Sequence, residues 1–176
     1  MKKKLIILST LVFLLFGCKK LHELTQFDMD YDTSITIPST VGINTPFNVP
    51  TPDISSNSES TFESNNTNKD MVEKIVLKSM RWTIASPKGE DFSFLKSVEI
   101  KISAEGLDDL KIAWQDNIPQ NDTTFTFETS DKDIKEYLFK DKYKLKVSTV
   151  TDEIITKDVK IDIHSVFFVD AKILGM

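Results

Sequence analysis

The sequence predicts an all-β protein built as an antiparallel sandwich, because apolar residues recur at every second position in short runs between turns. Long amphipathic helices do not alternate with these runs, so the βαβ rhythm of parallel sheets is missing. The last run is the longest and keeps one phase over fifteen residues: Ile155, Val159, Ile161, Ile163, Ser165, Phe167 and Val169. These features favour an immunoglobulin-like sandwich with one short helix, and an up-and-down β-barrel is the alternative.

The first strand is predicted at 27–37, where apolar and acidic residues alternate. Its acidic members also match the first half of a calcium-binding loop, which needs oxygen ligands at alternate positions: Asp28, Asp30 and Asp32. The second half is missing, since Thr33 and Ser39 stand where that loop requires glycine and glutamate. A solvated strand face explains the three aspartates as well. We therefore expect no metal or other cofactor, and these residues are the candidates should a metal bind.

Residues 38–69 predict a long surface crossover, because 21 of these 32 residues are Ser, Thr, Asn or Pro. The four prolines exclude a central strand, and the alternation of Ile43, Phe47 and Val49 favours an edge strand near 43–49. A disordered linker is the alternative, although Phe47 and Phe62 are typical of buried positions.

Several more strands are predicted between the crossover and the final run. They span 75–84, 98–104, 110–114, 125–127 and 143–147. A break in the apolar phase predicts a β-bulge near Lys78 and Ser79 in the first of them. Ile134, Tyr137 and Leu138 stand at helical spacing after an N-cap-like run, which predicts the one short helix.

Residues 1–18 predict export and a lipid anchor. Three lysines at 2–4 precede an apolar run at 5–16, which is shorter than the ~20 residues of a membrane-spanning helix and is typical of a signal peptide. The following Leu15-Phe16-Gly17-Cys18 resembles the lipobox of bacterial lipoproteins. That resemblance implies removal of residues 1–17 and attachment of diacylglycerol and fatty acid, such as palmitate, to Cys18, the single cysteine of the chain.

The mature chain is then a lipidated tether at 18–26 followed by one β-sandwich domain at 27–176. Lys19 stands where an aspartate would resemble the inner-membrane retention signal of enteric bacteria, so the resemblance implies the outer membrane. Two or three acyl chains anchor a protein stably, whereas one binds only marginally. Removing residues 1–17 takes away three lysines, so the formal charge of −5 becomes −8. Such a surface repels phosphate backbones, and we expect no nucleic-acid partner.

Catalytic motifs are absent from the sequence. It has no metalloprotease, phosphate-binding-loop or serine-hydrolase signature, and its two histidines are His22 in the tether and His164 on the outward phase of the last strand. The domain is generally similar, over about 37–174, to small uncharacterised β-sandwich lipoproteins of Gram-negative bacteria, a likeness that implies no activity. We expect a non-enzymatic binding or structural module of the envelope, in contact with the membrane through Cys18 and with an envelope protein or glycan.

Two tryptophans provide a binding signal. Trp114 precedes Gln115-Asp116-Asn117, whose side chains can bind hydroxyl groups, and an exposed indole can stack on a sugar ring. The alternative function is therefore a glycan-binding or glycan-processing accessory protein. Both Trp82 and Trp114 fall in the apolar phase of their strands, however, which favours burial of both in the core. Asp122-Thr123-Thr124 also resembles a short O-glycosylation acceptor of some gut anaerobes.

We predict that Cys18→Ser abolishes lipid attachment, because no other cysteine can take the diacylglycerol. The precursor should stay uncleaved, or the domain should appear in the soluble fraction. Metabolic labelling with a radioactive fatty acid measures the attachment directly. Equal label on the variant and on the wild-type protein would contradict the lipid anchor.

Overall fold

The computed structural model describes residues 25–40, 42–44, 46–151 and 153–172. The predicted signal peptide, Cys18 and nearly all of the tether lie outside these described residues. None of the described helices is long and apolar enough to cross a bilayer.

Two antiparallel sheets are formed by the described residues. The smaller sheet has the order β1 (Gln26–Ile37), β10 (Val159–Ala171), β4 (Val72–Ser86) and β7 (Thr124–Thr126). The larger sheet has the order β2 (Phe47–Pro50), β9 (Lys142–Thr151), β5 (Leu95–Ser103), β6 (Leu110–Gln115) and β8 (Glu128–Thr129), and β3 (Ile54–Ser55) also pairs with β9. Strands make up 53% of the structure and the described sheets form no closed barrel, so the predicted all-β sandwich is confirmed and the barrel alternative is wrong.

Strand β10 lies between β1 and β4 and carries the predicted single-phase apolar row into the core. Ile161, Ile163 and Phe167 are almost completely buried, while Asp162 between them is exposed. In register, Ile161 stands opposite Ile35 of β1 and Ile84 of β4. The strand begins at Val159 rather than at residue 155.

The outward side of β10 carries two apolar residues near its end. Val166 and Phe168 lie partly exposed on the outer face, and Phe168 stands opposite Val76 of β4. Apolar side chains on a half-covered sheet face are common, because a protein has too little polar surface to cover itself.

The predicted β-bulge in β4 is present at Lys78. Val166 of β10 stands opposite Ser79, whereas the next residue, Phe167, stands opposite Leu77. Lys78 is therefore the extra residue that lets Leu77 and Met80 both point into the core.

The crossover contains a helix that the sequence did not predict, α1 (Ser58–Ser64). Its single large apolar residue, Phe62, is fully buried and packs edge-on against Phe27 and Phe139. Because one apolar residue creates no periodicity, the polar sequence gave no helical signal, and tertiary packing of Phe62 holds α1 in place. The Tyr31 hydroxyl of β1 also donates a hydrogen bond to the Ser56 carbonyl. The described continuous part of the crossover, 46–69, is therefore packed against the core, and the disordered-linker alternative is wrong for it.

The predicted edge strand and the later helix are both present with shifted bounds. Strand β2 covers Phe47–Pro50, and Ile43 makes only an isolated bridge to Thr151. Helix α2 (Lys135–Leu138) begins after Asp133, whose carboxylate accepts hydrogen bonds from the backbone N–H groups of Lys135 and Ile75. Asp133 thus joins the start of α2 to β4.

We predict that Ile161→Ala lowers the free energy of unfolding by ~2–5 kcal/mol, because it leaves a cavity between the two sheets. Asp162→Ala should change it by less than ~0.5 kcal/mol, since that side chain is exposed. Denaturant melts of both variants measure the difference. A large loss at Asp162 with little loss at Ile161 would contradict the phase of β10.

Candidate binding surface

Trp114 points out of the sandwich, and a β-bulge in β6 is the reason. Ile100 of β5 stands opposite Ala113, but its neighbour Lys101 stands opposite Lys111, so Ile112 is an extra residue. Ile112 and Ala113 are both buried as a result, and the phase of β6 is reversed from Ala113 onwards. Trp114 therefore lies on the outer face of the larger sheet, where it is partly exposed.

The expectation that both tryptophans fill the core is right for Trp82 and wrong for Trp114. Trp82 is completely buried and its ring centroid lies 5.1 Å from that of Phe127 and 5.9 Å from that of Phe125. For Trp114 the sequence held one signal, the adjacent apolar pair Ile112-Ala113, which breaks strict alternation. That signal does not say which residue of the pair is the extra one.

A continuous row of outward side chains crosses the larger sheet at Trp114. Pairing between neighbouring strands aligns five residues abreast, which we call the Trp114 row: Asn48, Ser148, Glu99, Trp114 and Glu128. Four strand-to-strand steps of ~4.8 Å give the row a length of ~19 Å. At one end the Ser148 hydroxyl donates a hydrogen bond of 2.6 Å to Asn48 Oδ1. The row therefore combines one large aromatic ring with hydroxyl, amide and carboxylate groups.

A second row lies beside the first, two residues away along β9 and β5 and three residues away along β6, where Ile112 is the extra residue. It consists of three lysines abreast, which we call the lysine row: Lys146, Lys101 and Lys111. The Lys111 ammonium lies 5.0 Å from the centroid of the Trp114 ring, which is within the range of a cation–π contact. Lys111 thereby links the two rows.

Two carboxylates lie among the lysines. Glu99 Oε2 lies 2.9 Å from Lys111 Nζ and Glu99 Oε1 lies 3.3 Å from Lys101 Nζ. Asp109 accepts a bond of 2.8 Å from Lys146 Nζ. Hydrogen bonding to Lys111 holds the pKa of Glu99 below its ordinary value, and Lys146 does the same for the pKa of Asp109. Both carboxylates are consequently ionised at neutral pH.

A shallow hollow of about 230 Å³ opens beside the indole. Its lining includes Pro46, Ser97, Trp114 and Asp116. Of the predicted hydroxyl-binding residues Gln115, Asp116 and Asn117, Asp116 lines the hollow. Gln115 Nε2 donates a hydrogen bond to the Asn117 carbonyl. A larger hollow of about 670 Å³ lies at the end of the same sheet, between Asp53, Glu105 and Lys142. We favour the smaller hollow as the candidate binding site because it adjoins Trp114, which is partly exposed, whereas Trp82 is buried.

The calcium candidates lie on the outer face of the other sheet. Asp28 forms an ion pair of 2.5 Å with Lys78, and Asp30 and Asp32 flank His164 at 3.4 Å from Nε2 and 2.8 Å from Nδ1. Alternate residues of a strand stand ~6.6 Å apart, so the three carboxylates follow β1 instead of surrounding one point. Among the described residues, no group of three side chains could hold a metal ion.

The possible glycosylation acceptor lies just before and within β7. Asp122, Thr123 and Thr124 are all exposed, and the Thr124 hydroxyl donates a hydrogen bond to the carbonyl of Trp82.

Comparisons with known proteins assign the chain to no family. No family model matches it, and no curated protein matches it. One similar solved structure is that of Desmodium yellow mottle tymovirus, at 12% identity and a TM-score of 0.29, covering 86% of this chain and 91% of that chain. Another is that of FLHE, at 5% identity and a TM-score of 0.32, covering 82% of this chain and 98% of that chain. A third is a carbohydrate-binding module of the β-sandwich superfamily, at 9% identity and a TM-score of 0.29, covering 84% of this chain and 55% of that chain. With TM-scores this low, these likenesses carry no argument about function.

We predict that the two tryptophans differ in solvent access. Trp114→Phe leaves only Trp82, whose emission should be blue-shifted and resistant to acrylamide, because its side chain is fully buried. Trp82→Phe leaves only Trp114, which acrylamide should quench readily. Stern–Volmer measurements on both variants test the reversed phase of β6. Equal protection of the two residues would mean that Trp114 is buried after all.

Proposed function

We propose that the protein is a membrane-anchored lipoprotein of the cell envelope whose β-sandwich is a non-enzymatic, saccharide-binding module. The observation that carries the proposal is the Trp114 row, in which an outward indole stands between two carboxylates on the outer face of the larger sheet. The lipid anchor rests on the sequence of residues 1–18 alone.

The chemistry of the Trp114 row suits a sugar chain. An indole offers a broad, rigid apolar surface with little entropy to lose, which matches the C–H face of a pyranose ring. Asn48 and Ser148 supply acceptors and donors for hydroxyl groups along the same line, and Asp116 supplies a carboxylate beside the ring. An open surface ~19 Å long fits an extended chain better than a small compact ligand, which would favour an enclosed pocket.

A binding role fits this surface better than glycoside hydrolysis. Hydrolysis of that kind requires one carboxylic acid that keeps its proton until it protonates the leaving group. Glu99 is held ionised because its two oxygens face the ammonium groups of Lys101 and Lys111. It is thus poorly suited to act as the acid.

The position of the sheet is compatible with an anchored protein. Eight residues, 19–26, separate Cys18 from the start of the domain at 27, and an extended chain of that length reaches at most ~29 Å. The Trp114 row lies on the outer face of the larger sheet, whereas β1, which follows the tether, belongs to the smaller sheet. The described chain therefore begins on the sheet that does not carry the Trp114 row. Lys19 supports placement in the outer membrane.

We predict that Trp114→Ala weakens saccharide binding about tenfold or more, since loss of an aromatic contact of ~0.5–1.5 kcal/mol and of its buried area removes the stacking surface. The lipidated protein in detergent can be sedimented with insoluble neutral and acidic polysaccharides and with purified peptidoglycan. Trp114→Phe, which keeps a smaller ring, should give an intermediate loss.

Asp162→Ala is the matched control, because it changes an exposed residue on the opposite sheet. It should bind like the wild-type protein. Sedimentation of Trp114→Ala at the wild-type level, or no retention of the wild-type protein on any of these polymers, would overturn the proposed function.

A further inference from the structure

Charges of both signs surround the indole of Trp114, so this surface favours a neutral ligand. Four carboxylates lie on or beside the two rows: Glu99, Asp109, Asp116 and Glu128. They face the three ammonium groups of the lysine row, so an acidic sugar gains no net attraction. The Lys111 ammonium lies 5.0 Å from the centroid of the indole, where it repels a cationic sugar. The charges therefore disfavour both kinds of ionised saccharide.

One wall of the hollow beside Trp114 is apolar. Val150 of β9 stands opposite Ser97 of β5, and it faces outward because its neighbour Thr149 is buried. Pro46 comes directly before β2 and lines the hollow together with Val150. A sugar hydroxyl finds no hydrogen-bond partner on these two side chains, whereas a methyl group loses contact with water there.

Two polar side chains line the same hollow and keep hydrogen-bonding capacity for a ligand. They are Asp116, which is exposed, and Ser97, which is partly exposed. Among the described residues, none forms a hydrogen bond or an ion pair with the Asp116 carboxylate or with the Ser97 hydroxyl. A carboxylate accepts from an N–H group, and a hydroxyl can donate to a carbonyl. The hollow thus combines an acceptor, a donor and an apolar wall.

We propose that the hollow binds the acetamido group of an N-acetylated hexosamine whose ring stacks on Trp114. This inference rests on the proposed function and adds the substrate class to it. An acetamido group has one N–H donor, one carbonyl acceptor and one methyl group. The Asp116 carboxylate accepts from the N–H, and the Ser97 hydroxyl donates to the carbonyl. Val150 and Pro46 contact the methyl group.

The acetamido group also meets the two conditions that the surface sets, neutral charge and reach. Trp114 and Asp116 are two residues apart, which is ~6.6 Å in an extended chain, so a substituent of the stacked ring can enter the hollow. A hydroxyl group at the same ring position carries no methyl group, and it leaves the apolar wall in contact with water. The site therefore discriminates between an acetylated sugar and its unsubstituted analogue.

The test compares three soluble tetrasaccharides that share one β-1,4-linked backbone and differ in the substituent at C2. That substituent is acetamido in the N-acetylglucosamine oligomer, hydroxyl in the glucose oligomer and ammonium in the glucosamine oligomer. Calorimetry with the lipidated protein in detergent should show the acetylated oligomer bound at least tenfold more tightly than the glucose oligomer. The glucosamine oligomer should bind no more tightly than the glucose oligomer, because Lys111 repels its ammonium groups.

Two variants test the apolar and the polar contact of the hollow separately. Val150→Ser removes the methyl groups of the wall, and Asp116→Ala removes the carboxylate acceptor. Each should reduce the ratio of the affinities for the acetylated and the glucose oligomer at least threefold. Val166→Ser and Asp162→Ala are the matched controls, because they change the same residue types on the outer face of the opposite sheet, and both should keep the full ratio. Thermal melts verify that each variant is folded.

The outcomes distinguish failure of this inference from failure of the proposed function. Equal affinity of the wild-type protein for the acetylated and the glucose oligomer would overturn the acetamido site and leave saccharide binding intact. An unchanged ratio in both Val150→Ser and Asp116→Ala would overturn the role of the hollow. Tightest binding of the glucosamine oligomer would mean that the carboxylates select a cation instead. Binding of none of the three oligomers would count against the proposed function as well.

Discussion

Burial of the apolar row of β10 is the interaction on which the sandwich depends. This strand pairs with β1 along twelve positions and with β4 along the other side, so its inward residues bring three strands to one core. Ile161, Ile163 and Phe167 lose nearly all of their contact with water there. No disulfide is available to a chain with one cysteine, and apolar burial has to offset the entropy of folding without it.

The same core also holds part of the crossover in place, although the crossover sequence has only a weak preference for helix. Residues 58–64 have few good helix formers, and α1 has no side-chain N-cap. Phe62 reaches the core between Phe27 and Phe139, and the Tyr31 hydroxyl holds the Ser56 carbonyl. Two side-chain anchors therefore order a polar stretch that would be a flexible loop by composition alone. The larger sheet gains β2 and β3 from the same segment.

The candidate binding surface depends on one irregularity, the extra residue at Ile112. Without it Trp114 would enter the core with Leu110 and Ile112, and Glu99 would have a different neighbour on β6. With it, the indole joins a row of polar groups and receives the Lys111 ammonium above its ring. β-Bulges often re-aim a side chain in this way, and one residue of slippage is enough because side chains alternate with a period of two.

The sequence by itself determined the all-β class, the apolar phase of β10 and the bulge in β4, because regular alternation reports which residues share a face. The export and lipid-anchor prediction also rests on the sequence, and Cys18 lies outside the described residues. Only the tertiary structure decided that α1 forms around Phe62 and that Trp114 faces outward. Both outcomes come from partners distant in sequence: Phe27 and Phe139 surround Phe62, and the register of β5 selects which residue of β6 is extra. Local patterns carry no information about such partners, and so the rows that form the binding surface emerge only when the strands are aligned.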